Sequence, residues 1–286
     1  MEVKIEEWID SSGEGYIESR RAIHIILKAI SGSEELSASM ILKGGTLLGI
    51  RYGSSRFTTD VDFSTGKKYK DLDPEAFKAY FNESLEVAAA ELNYGLRCNL
   101  QSWKVLPNAS GTFPTVKIKI GYSPINDRAK LKRFEVGQAV DVVNIDYSFN
   151  EETYNSELIK IDDESGFVAY SIVDLIAEKF RSVLQQKVRG RGREQDIYDL
   201  NYLFSSVKGL EAEAYKILES LLKKSVGKNI DEWLCSDGMK DPEIKDISRE
   251  NYHGLKDTVD YLPDFDESYD AVSGFYEELP WEMFGR

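Results

Sequence analysis

Residues 41–64 read ILKGGTLLGIRYGSSRFTTDVDFS, the most informative segment of the chain for its fold. The apolar run MILK predicts a short strand that stops at Gly44-Gly45, and TLLGIRY then reads as a short helix. The alternation in FTTDVDF predicts a second strand that carries Asp60 and Asp62. Asp60 follows Gly45 by 15 residues, enough for the helix to return the chain. We therefore expect the glycine turn and the two aspartates to line one pocket.

Asp60 and Asp62 are predicted to hold a metal ion. Side chains at i and i+2 of a strand share a face and lie roughly 6.5–7 Å apart, so the two carboxylates project together. Mg²⁺ or Mn²⁺ suits them, because hard cations prefer oxygen ligands and commonly combine one or two carboxylates with water and substrate phosphates. An isolated Asp-x-Asp is usually a solvated strand face. The prediction therefore depends on the spacing of the whole stretch.

The glycine turn is predicted to bind phosphate. Gly44 and Gly45 lack a β-carbon, so their backbone can approach a triphosphate, and the free N–H groups at a helix start favour anions. An isolated Gly-Gly is usually only a turn. Candidate side-chain contacts to the nucleotide are Thr46, Thr58, Arg51 and Arg56. Together with the aspartates, this pattern indicates phosphoryl transfer on a polyanion.

The rest of the chain predicts an α+β domain followed by a helical domain. The predicted elements are helices at 16–30 and 74–92, strands at 96–106, 115–122 and 139–149, and then helices at 171–187, 194–204 and 211–225. We place the boundary near 168, so the predicted domains are 1–168 and 169–286.

The net charge of −14 argues at first against a nucleic-acid partner. Its distribution weakens that argument, because 231–286 holds 16 acidic and 5 basic residues and the rest of the chain is nearly neutral. Basic clusters at 128–133 and 187–193 leave room for an anionic substrate, although solvated helix ends explain each cluster as well.

Several classes of protein are excluded by composition. No apolar run approaches the ~18 residues of a membrane span, and the N-terminus lacks the pattern of a secretory signal. The chain has two cysteines and two histidines, none in metal-ligand spacing, which argues against a disulfide framework, a zinc site and a Ser-His-Asp triad. We therefore expect a cytoplasmic protein without a membrane partner.

Gly-Gly followed by Asp-x-Asp resembles the signature of the polymerase-β-like nucleotidyltransferase superfamily. Residues 43–63 match KGGTxLxxxYGSxRxTxDxDF, which is similar to the AbiEii-type toxins of type IV toxin–antitoxin (abortive infection) systems. DLIAEKFRSVLQQ at 174–186 and DIYDLNYLF at 196–204 resemble that family's AEKxxALxxR…RDxYDLxxL block, and 262–272 resembles its C-terminal helix. The resemblance implies a polymerase-β-like nucleotidyltransferase domain with a mixed sheet, followed by a helical C-terminal domain.

The resemblance also implies an activity: transfer of a nucleoside monophosphate from an NTP to an acceptor hydroxyl, with release of pyrophosphate. It implies an RNA acceptor, the 3′ end of tRNA, toxicity through blocked translation, and a cognate antitoxin. Two alternatives stay open. One is a nucleotidyltransferase that modifies a protein or a small molecule. The other is a catalytically inactive nucleotidyltransferase fold that serves as an interaction module.

The second matching block adds predicted catalytic residues. Lys179 is predicted to neutralise triphosphate charge, and Arg181 to contact the nucleotide. Asp196 and Asp199 lie at i and i+3 on one helix face. They could orient Lys179 or Arg181 or act on the attacking hydroxyl, and an ion pair that holds two helices together explains them equally well.

This sequence departs from the family pattern directly before Asp196. The pattern has an arginine there, and this chain has Gln195. Arg193 or Arg191 could take its place.

Polymerase-β-like sites often contain a third carboxylate on a later strand. Lys119 occupies one position where a carboxylate would be suitable, and Asp146 or Asp141 is the alternative. Solvent-facing strand positions explain both aspartates without a role.

The acidic C-terminal segment is predicted to fold, because a disordered acidic tail would be poor in aromatic residues. Phe265, Tyr269, Val272 and Tyr276 form a helical stripe. We expect this stripe to pack on the helices at 171–225, with the carboxylates of the segment facing away from the nucleotide site.

Overall fold

The computed structural model describes residues 3–163 and 165–286. Met1, Glu2 and Glu164, which the predicted first domain includes, lie outside the described residues. The strands are β1 (Ile41–Lys43), β2 (Asp60–Ser64), β3 (Leu96–Leu106), β4 (Thr115–Pro124), β5 (Asp141–Ser148), β6 (Ser156–Lys160) and β7 (Gly166–Tyr170). The α-helices are α1 (Ile5–Asp10), α2 (Ile17–Ser31), α3 (Glu34–Ser37), α4 (Gly44–Tyr52), α5 (Pro74–Leu92), α6 (Arg128–Glu135), α7 (Ile172–Leu184), α8 (Gln186–Arg189), α9 (Glu194–Ser206), α10 (Ala214–Ser225), α11 (Pro242–Arg249) and α12 (Phe265–Glu277). None of these helices combines the length and the apolar composition that crossing a membrane requires.

Most of the predicted elements are confirmed, and α5 and β3 are confirmed at both ends. The start of α5 is set by Asp73, whose carboxylate accepts hydrogen bonds from two backbone N–H groups of the first turn, and by Pro74. The sequence pattern missed β6, β7 and α6. These elements span five, five and eight residues, which is too short for periodicity to identify them.

The seven strands form one mixed sheet in the order β3-β4-β5-β2-β1-β7-β6. β2 runs parallel to β5 and antiparallel to β1, while β4 is antiparallel to both β3 and β5. The aspartate-bearing strand β2 is therefore central. The predicted α+β fold with a mixed sheet is confirmed.

The two faces of this sheet differ in chemistry, because side chains alternate along each strand. Val61 and Tyr147 are buried on one face, where α2 and α5 pack. The ring of Phe77, on α5, stacks on Tyr147 with 5.9 Å between the ring centroids. Asp60 and Asp62 project to the other face, so burial of the apolar face directs both carboxylates to the open one.

Aromatic side chains join the C-terminal helices. Phe275 of α12 stacks on Phe204 of α9 at 4.2 Å between centroids, and Tyr276 meets Phe180 of α7 edge-on at 5.1 Å. The buried hydroxyl of Tyr276 donates to the carbonyl of Trp233 at 2.6 Å. The predicted packing of the acidic segment on the preceding helices is confirmed. The direction of its carboxylates relative to the nucleotide stays a prediction.

Chain contacts divide the protein into two compact units. The first runs up to Arg51 and continues over Thr58–Ala169, and the second comprises Tyr52–Phe57 and Tyr170–Arg286. The predicted domains, 1–168 and 169–286, assigned Tyr52–Phe57 to the first domain, whereas chain contacts group this segment with the second unit. Within the second unit, the Tyr202 hydroxyl donates to the carbonyl of Tyr52 at 2.8 Å, and Phe57 N–H donates to the carbonyl of Thr258 at 2.7 Å. Independent folding of two domains stays a prediction.

Candidate active site

Three carboxylates, which we call the acidic centre, lie on the open face of the sheet: Asp60, Asp62 and Asp146. Parallel pairing of β2 with β5 places Asn144 beside Asp60 and Asp146 beside Asp62. The amide nitrogen of Asn144 donates to Oδ1 of Asp60 at 3.2 Å. Asp60 is exposed and the other two carboxylates are half-buried, so the acidic centre faces solvent.

Strand register distinguishes the two candidates for a third carboxylate. Asp146 is beside Asp62 and forms an ion pair with Lys117, its neighbour on β4. Asp141 lies an odd number of positions away on the same strand and therefore projects to the opposite face. There it pairs with Lys130 of α6 at 2.8 Å. The geometry thus favours Asp146.

Gly44 lies against Asp62 at the end of β1. Its φ of +76° is a conformation that residues with a β-carbon rarely adopt. A β-carbon built on Gly44 would lie 2.9 Å from the carboxyl carbon of Asp62, which is too close. Gly44 and Gly45 open α4, whose first backbone N–H groups have no acceptor within the helix. A turn suited to phosphate therefore lies on the β1 side of the acidic centre.

The two threonines predicted to contact phosphate both lie beside the backbone carbonyl of Asp60, and their phosphate contacts stay predictions. Thr46 is fully buried, and its hydroxyl donates to the carbonyl of Asp60 at 2.9 Å. The Thr58 hydroxyl reaches the same carbonyl at 3.4 Å. Both hydroxyls hold the start of β2, so the geometry offers no support for the predicted phosphate contacts of these side chains.

The acidic centre fits a divalent cation that the protein coordinates only in part. Asp60 and Asp62 share a face, and the missing β-carbon of Gly44 leaves the Asp62 carboxylate uncrowded. Within the described part of the chain, no group of three or more carboxylate, histidine or cysteine side chains is placed to hold a metal ion by itself. Mg²⁺ commonly keeps water ligands and completes its shell with substrate phosphates. An open pair of carboxylates suits such an ion.

A second set of predicted residues forms a buried ion cluster within the second unit, made of Arg56, Lys179, Arg193, Asp196 and Asp199. The Lys179 ammonium contacts Asp196 at 2.9 Å and Asp199 at 2.6 Å. Asp199 also accepts two hydrogen bonds from the Arg56 guanidinium, each 2.7 Å long. Nε of Arg193 donates to Asp196 at 2.7 Å, so Arg193 supplies an arginine partner despite Gln195.

Mutual charge compensation keeps this cluster ionised. Burial alone raises the pKa of Asp199, but the charges of Lys179 and Arg56 outweigh it and hold the pKa below its ordinary value. Burial likewise raises the pKa of Asp196, and Arg193 and Lys179 reverse that effect. For Lys179, burial lowers the pKa, and the two carboxylates bring it above the ordinary lysine value. All of these groups are therefore charged at neutral pH.

This cluster changes what can be expected of the predicted cationic residues. Lys179 and Arg56 are held by carboxylates, and the Arg181 guanidinium donates to Glu178 and Gln185 of its own helical region. Each cation would have to exchange these partners for a phosphate. The nucleotide contacts of Lys179, Arg56 and Arg181, and the catalytic roles of Asp196 and Asp199, stay predictions.

Sequence reasoning considered Lys119 only as a position for a carboxylate and missed that it belongs to a group of lysines beside the acidic centre. Lys117 and Lys119 of β4 and Lys104 of β3 project to the open face, where they line a groove of ≈ 330 Å³. The KIK alternation at 117–119 was a signal for a polar face. Lys104 joins these residues only through the pairing of β3 with β4.

Solved structures share this fold at low sequence identity. A candidate nucleotidyltransferase from H. pylori gives a TM-score of 0.56 at 16% identity, covering 96% of this chain and 98% of its own. JHP933 from Helicobacter pylori gives 0.54 at 16% identity, with 96% of each chain covered. MenT4, a nucleotidyltransferase toxin from Mycobacterium tuberculosis H37Rv, gives 0.52 at 15% identity, covering 96% and 97%. At these identities the likeness concerns the fold.

The family is identified by sequence. The family described as "Nucleotidyl transferase AbiEii toxin, Type IV TA system" matches residues 25–271, which is most of the chain. A comparison with curated proteins finds no match. The matched region contains both the acidic centre and the buried ion cluster. The chain therefore belongs to the AbiEii family of type IV toxin–antitoxin systems, and it is a nucleotidyltransferase.

Proposed function

We propose that the protein transfers a nucleoside monophosphate from an NTP to the 3′-terminal hydroxyl of an RNA, specifically tRNA, with Mg²⁺ or Mn²⁺ held by Asp60 and Asp62. The observation that carries this proposal is the contact of Gly44 with Asp62, which joins a phosphate-binding turn to a metal-binding carboxylate within one unit. Modified tRNA would no longer support translation. The protein would act in the cytoplasm, where NTPs and tRNA occur, and a cognate antitoxin would restrain it.

The proposed reaction is an in-line displacement at the α-phosphorus. The acceptor hydroxyl gives its proton to solvent water and its oxygen bonds to phosphorus. The bond from phosphorus to the oxygen that bridges the α- and β-phosphates breaks, and pyrophosphate leaves. A divalent cation bound by Asp60 and Asp62 would neutralise charge on the phosphate oxygens. The backbone N–H groups at Gly44 and Gly45 bind the departing phosphates, and Asp146 contributes the third carboxylate.

Lys179, Asp196 and Asp199 have a supporting role in this proposal. Their mutual ion pairs link two helices of the second unit, and direct contact of Lys179 with the triphosphate is a separate prediction. A buried lysine with two carboxylate partners serves structure first, because removal of one charge leaves the others uncompensated.

The test is incubation of the purified protein with total RNA and each α-labelled NTP in turn, with Mg²⁺ or with a chelator. Label should enter an RNA band of tRNA size only when the metal is present, and Asp60→Asn should prevent it. Label in a protein band or in a small molecule would instead support the other acceptor classes. If wild-type protein transfers no label to any acceptor with any NTP, the proposed activity is wrong and the inactive interaction module is favoured.

A further inference from the structure

A groove on the open face of the sheet begins at the acidic centre and extends across β4 to β3. We call it the lysine groove; the charged and amide side chains that line it are Asp60, Asp146, Asn144, Lys117, Lys119 and Lys104. All of these residues belong to the first unit. One end of the groove is therefore acidic and the remainder is basic.

The lysines are arranged by strand pairing. Lys104 and Lys117 are direct neighbours on antiparallel strands, and Lys119 lies two positions further along β4 on the same face. Like charges placed directly opposite each other destabilise a sheet, so this arrangement opposes folding. Lys117 is offset by Asp146, whereas Lys104 and Lys119 form no ion pair with any described residue in 3–163 or 165–286. Uncompensated positive charge in a groove favours an anionic ligand.

In-line geometry indicates which anion enters the groove. The glycine turn lies on the β1 side of Asp62, and the lysine groove begins on the β5 side, across the acidic centre. Attacking and leaving oxygens are on opposite sides of the phosphorus in such a displacement. If pyrophosphate leaves towards Gly44, the attacking hydroxyl must arrive from the side of the groove.

We propose that the lysine groove binds the sugar–phosphate backbone of the RNA acceptor, directly behind its attacking hydroxyl. This inference rests on the proposed function and adds the surface that receives the acceptor. The spacing of Lys117 and Lys119, roughly 6.5–7 Å along the strand, suits successive phosphates of an extended single strand. Asn144, between the lysines and Asp60, is positioned to contact the terminal ribose.

Each of the two basic clusters considered from sequence includes residues that are already held in ion pairs. Lys130 is paired with Asp141, Lys187 with Asp241 and Glu243, and Arg193 with Asp196. Binding of RNA at these residues would have to break existing ion pairs. The groove lysines 104 and 119 have no such pair to break.

The test compares Lys104→Ala/Lys119→Ala with Lys67→Ala/Lys68→Ala in the full-length protein. Both double variants remove two exposed positive charges from the first unit, and neither alters the Lys117–Asp146 pair. The readouts are the Kd for labelled bacterial tRNA as a function of salt, and the KM values for tRNA and for NTP. The groove variant should bind tRNA about ten-fold more weakly, with a salt slope reduced by on the order of 1.4, since each contact to single-stranded RNA contributes ~0.7. The control should match wild type.

The outcomes separate the groove from the proposed function. If the groove variant is folded and active and its affinity and KM for tRNA are unchanged, the lysine groove does not bind the RNA. The proposed transferase activity would be unaffected by that result. An increase confined to the KM for NTP would also contradict RNA binding in the groove, because the lysines would then serve the triphosphate. If wild type binds tRNA through these lysines but transfers no nucleotide, RNA binding in the groove is supported and the proposed transferase activity is wrong. Absence of tRNA binding by wild type would contradict the groove itself.

Discussion

Gly44 and Asp62 are packed so closely that a β-carbon on the glycine would lie 2.9 Å from the carboxyl carbon of the aspartate. β1 and β2 pair directly before this contact, with Lys43 opposite Asp62. The turn proposed to bind phosphate and the carboxylate proposed to bind the metal therefore cannot move independently. A change in either residue should disturb both functions.

Gly44→Ala should lower nucleotide transfer by at least about 100-fold, the scale at which loss of one transition-state contact is measured. Gly53→Ala is the matched control, because Gly53 has a φ of +71° but a β-carbon there meets only the Tyr202 hydroxyl at 3.7 Å. Both variants carry backbone strain of about 1 kcal/mol, measurable as a lower Tm. Equal activity losses would show that strain, and not the contact with Asp62, matters.

Asp60→Asn, Asp62→Asn and Asp146→Asn should each abolish transfer and leave the fold intact, because each removes one negative charge from the acidic centre without a change in volume. Asp141→Asn is the control, since Asp141 projects to the opposite face and pairs with Lys130. Steady-state kinetics and thermal melting measure both effects. Wild-type activity in Asp62→Asn at an unchanged Tm would contradict the assignment of Asp62 as a metal ligand. Wild-type activity in Asp146→Asn would show that Asp146 is not a third carboxylate of the site.

Lys179→Ala should lower the free energy of unfolding by about 3–5 kcal/mol, because removal of one member of a buried ion pair leaves uncompensated charge. Asp196 and Asp199 would then face each other without the shared ammonium. Lys223→Ala, on an exposed side of α10, should change stability by less than about 0.5 kcal/mol. A stable Lys179→Ala protein with kcat/KM reduced about 100-fold would instead assign Lys179 to the triphosphate.

His24 should make stability depend on pH between about 6.5 and 4. Burial, assisted by the Lys28 charge and opposed by Asp162, lowers the pKa of His24 to about 4. Between these values the unfolded chain takes up a proton that the folded protein does not, so unfolding becomes more favourable as the pH falls. The loss is on the order of 3 kcal/mol, measured by urea denaturation. In the wild-type structure, Nδ1 of His24 lies 2.8 Å from the Tyr94 hydroxyl. In His24→Gln the glutamine amide can form a hydrogen bond with this hydroxyl but does not titrate. This variant should flatten this part of the profile, and an unchanged slope would assign the effect to other groups.

Truncation after Lys228 should destabilise the second unit, because it removes the aromatic partners of Phe180 and Phe204. Tyr276→Ala tests the same packing by a single change and should lower the free energy of unfolding by about 3–5 kcal/mol. Thermal melting and limited proteolysis are the measurements. A truncated protein that melts at the wild-type temperature and transfers nucleotide faster would identify the acidic segment as an inhibitory mimic of the acceptor.

The amino-acid sequence was enough to predict the fold class, the glycine turn and the shared face of Asp60 and Asp62. Each of these follows from local rules: periodicity identifies helices and strands, and alternation decides which strand residues share a face. Phe265, Tyr269, Val272 and Tyr276 were recognisable as a buried stripe for the same reason. Local rules do not require knowledge of the partner strand or helix.

The partners of these residues became known from the three-dimensional arrangement of strands and helices. Alternation places Asp146 and Asp141 on opposite faces of their strand, but it does not say which face carries Asp62. The register of β5 against β2, from which β3 and β4 separate it in the chain, places Asp146 beside Asp62. Lys179 reads as a lysine leaving an apolar stripe, and only the packing of α7 on α9 shows that two carboxylates hold it. No sequence pattern predicts that Lys104 lies in the lysine groove, because only the pairing of β3 with β4 places it there. Register and charge pairing depend on contacts between distant segments, which a local pattern does not encode.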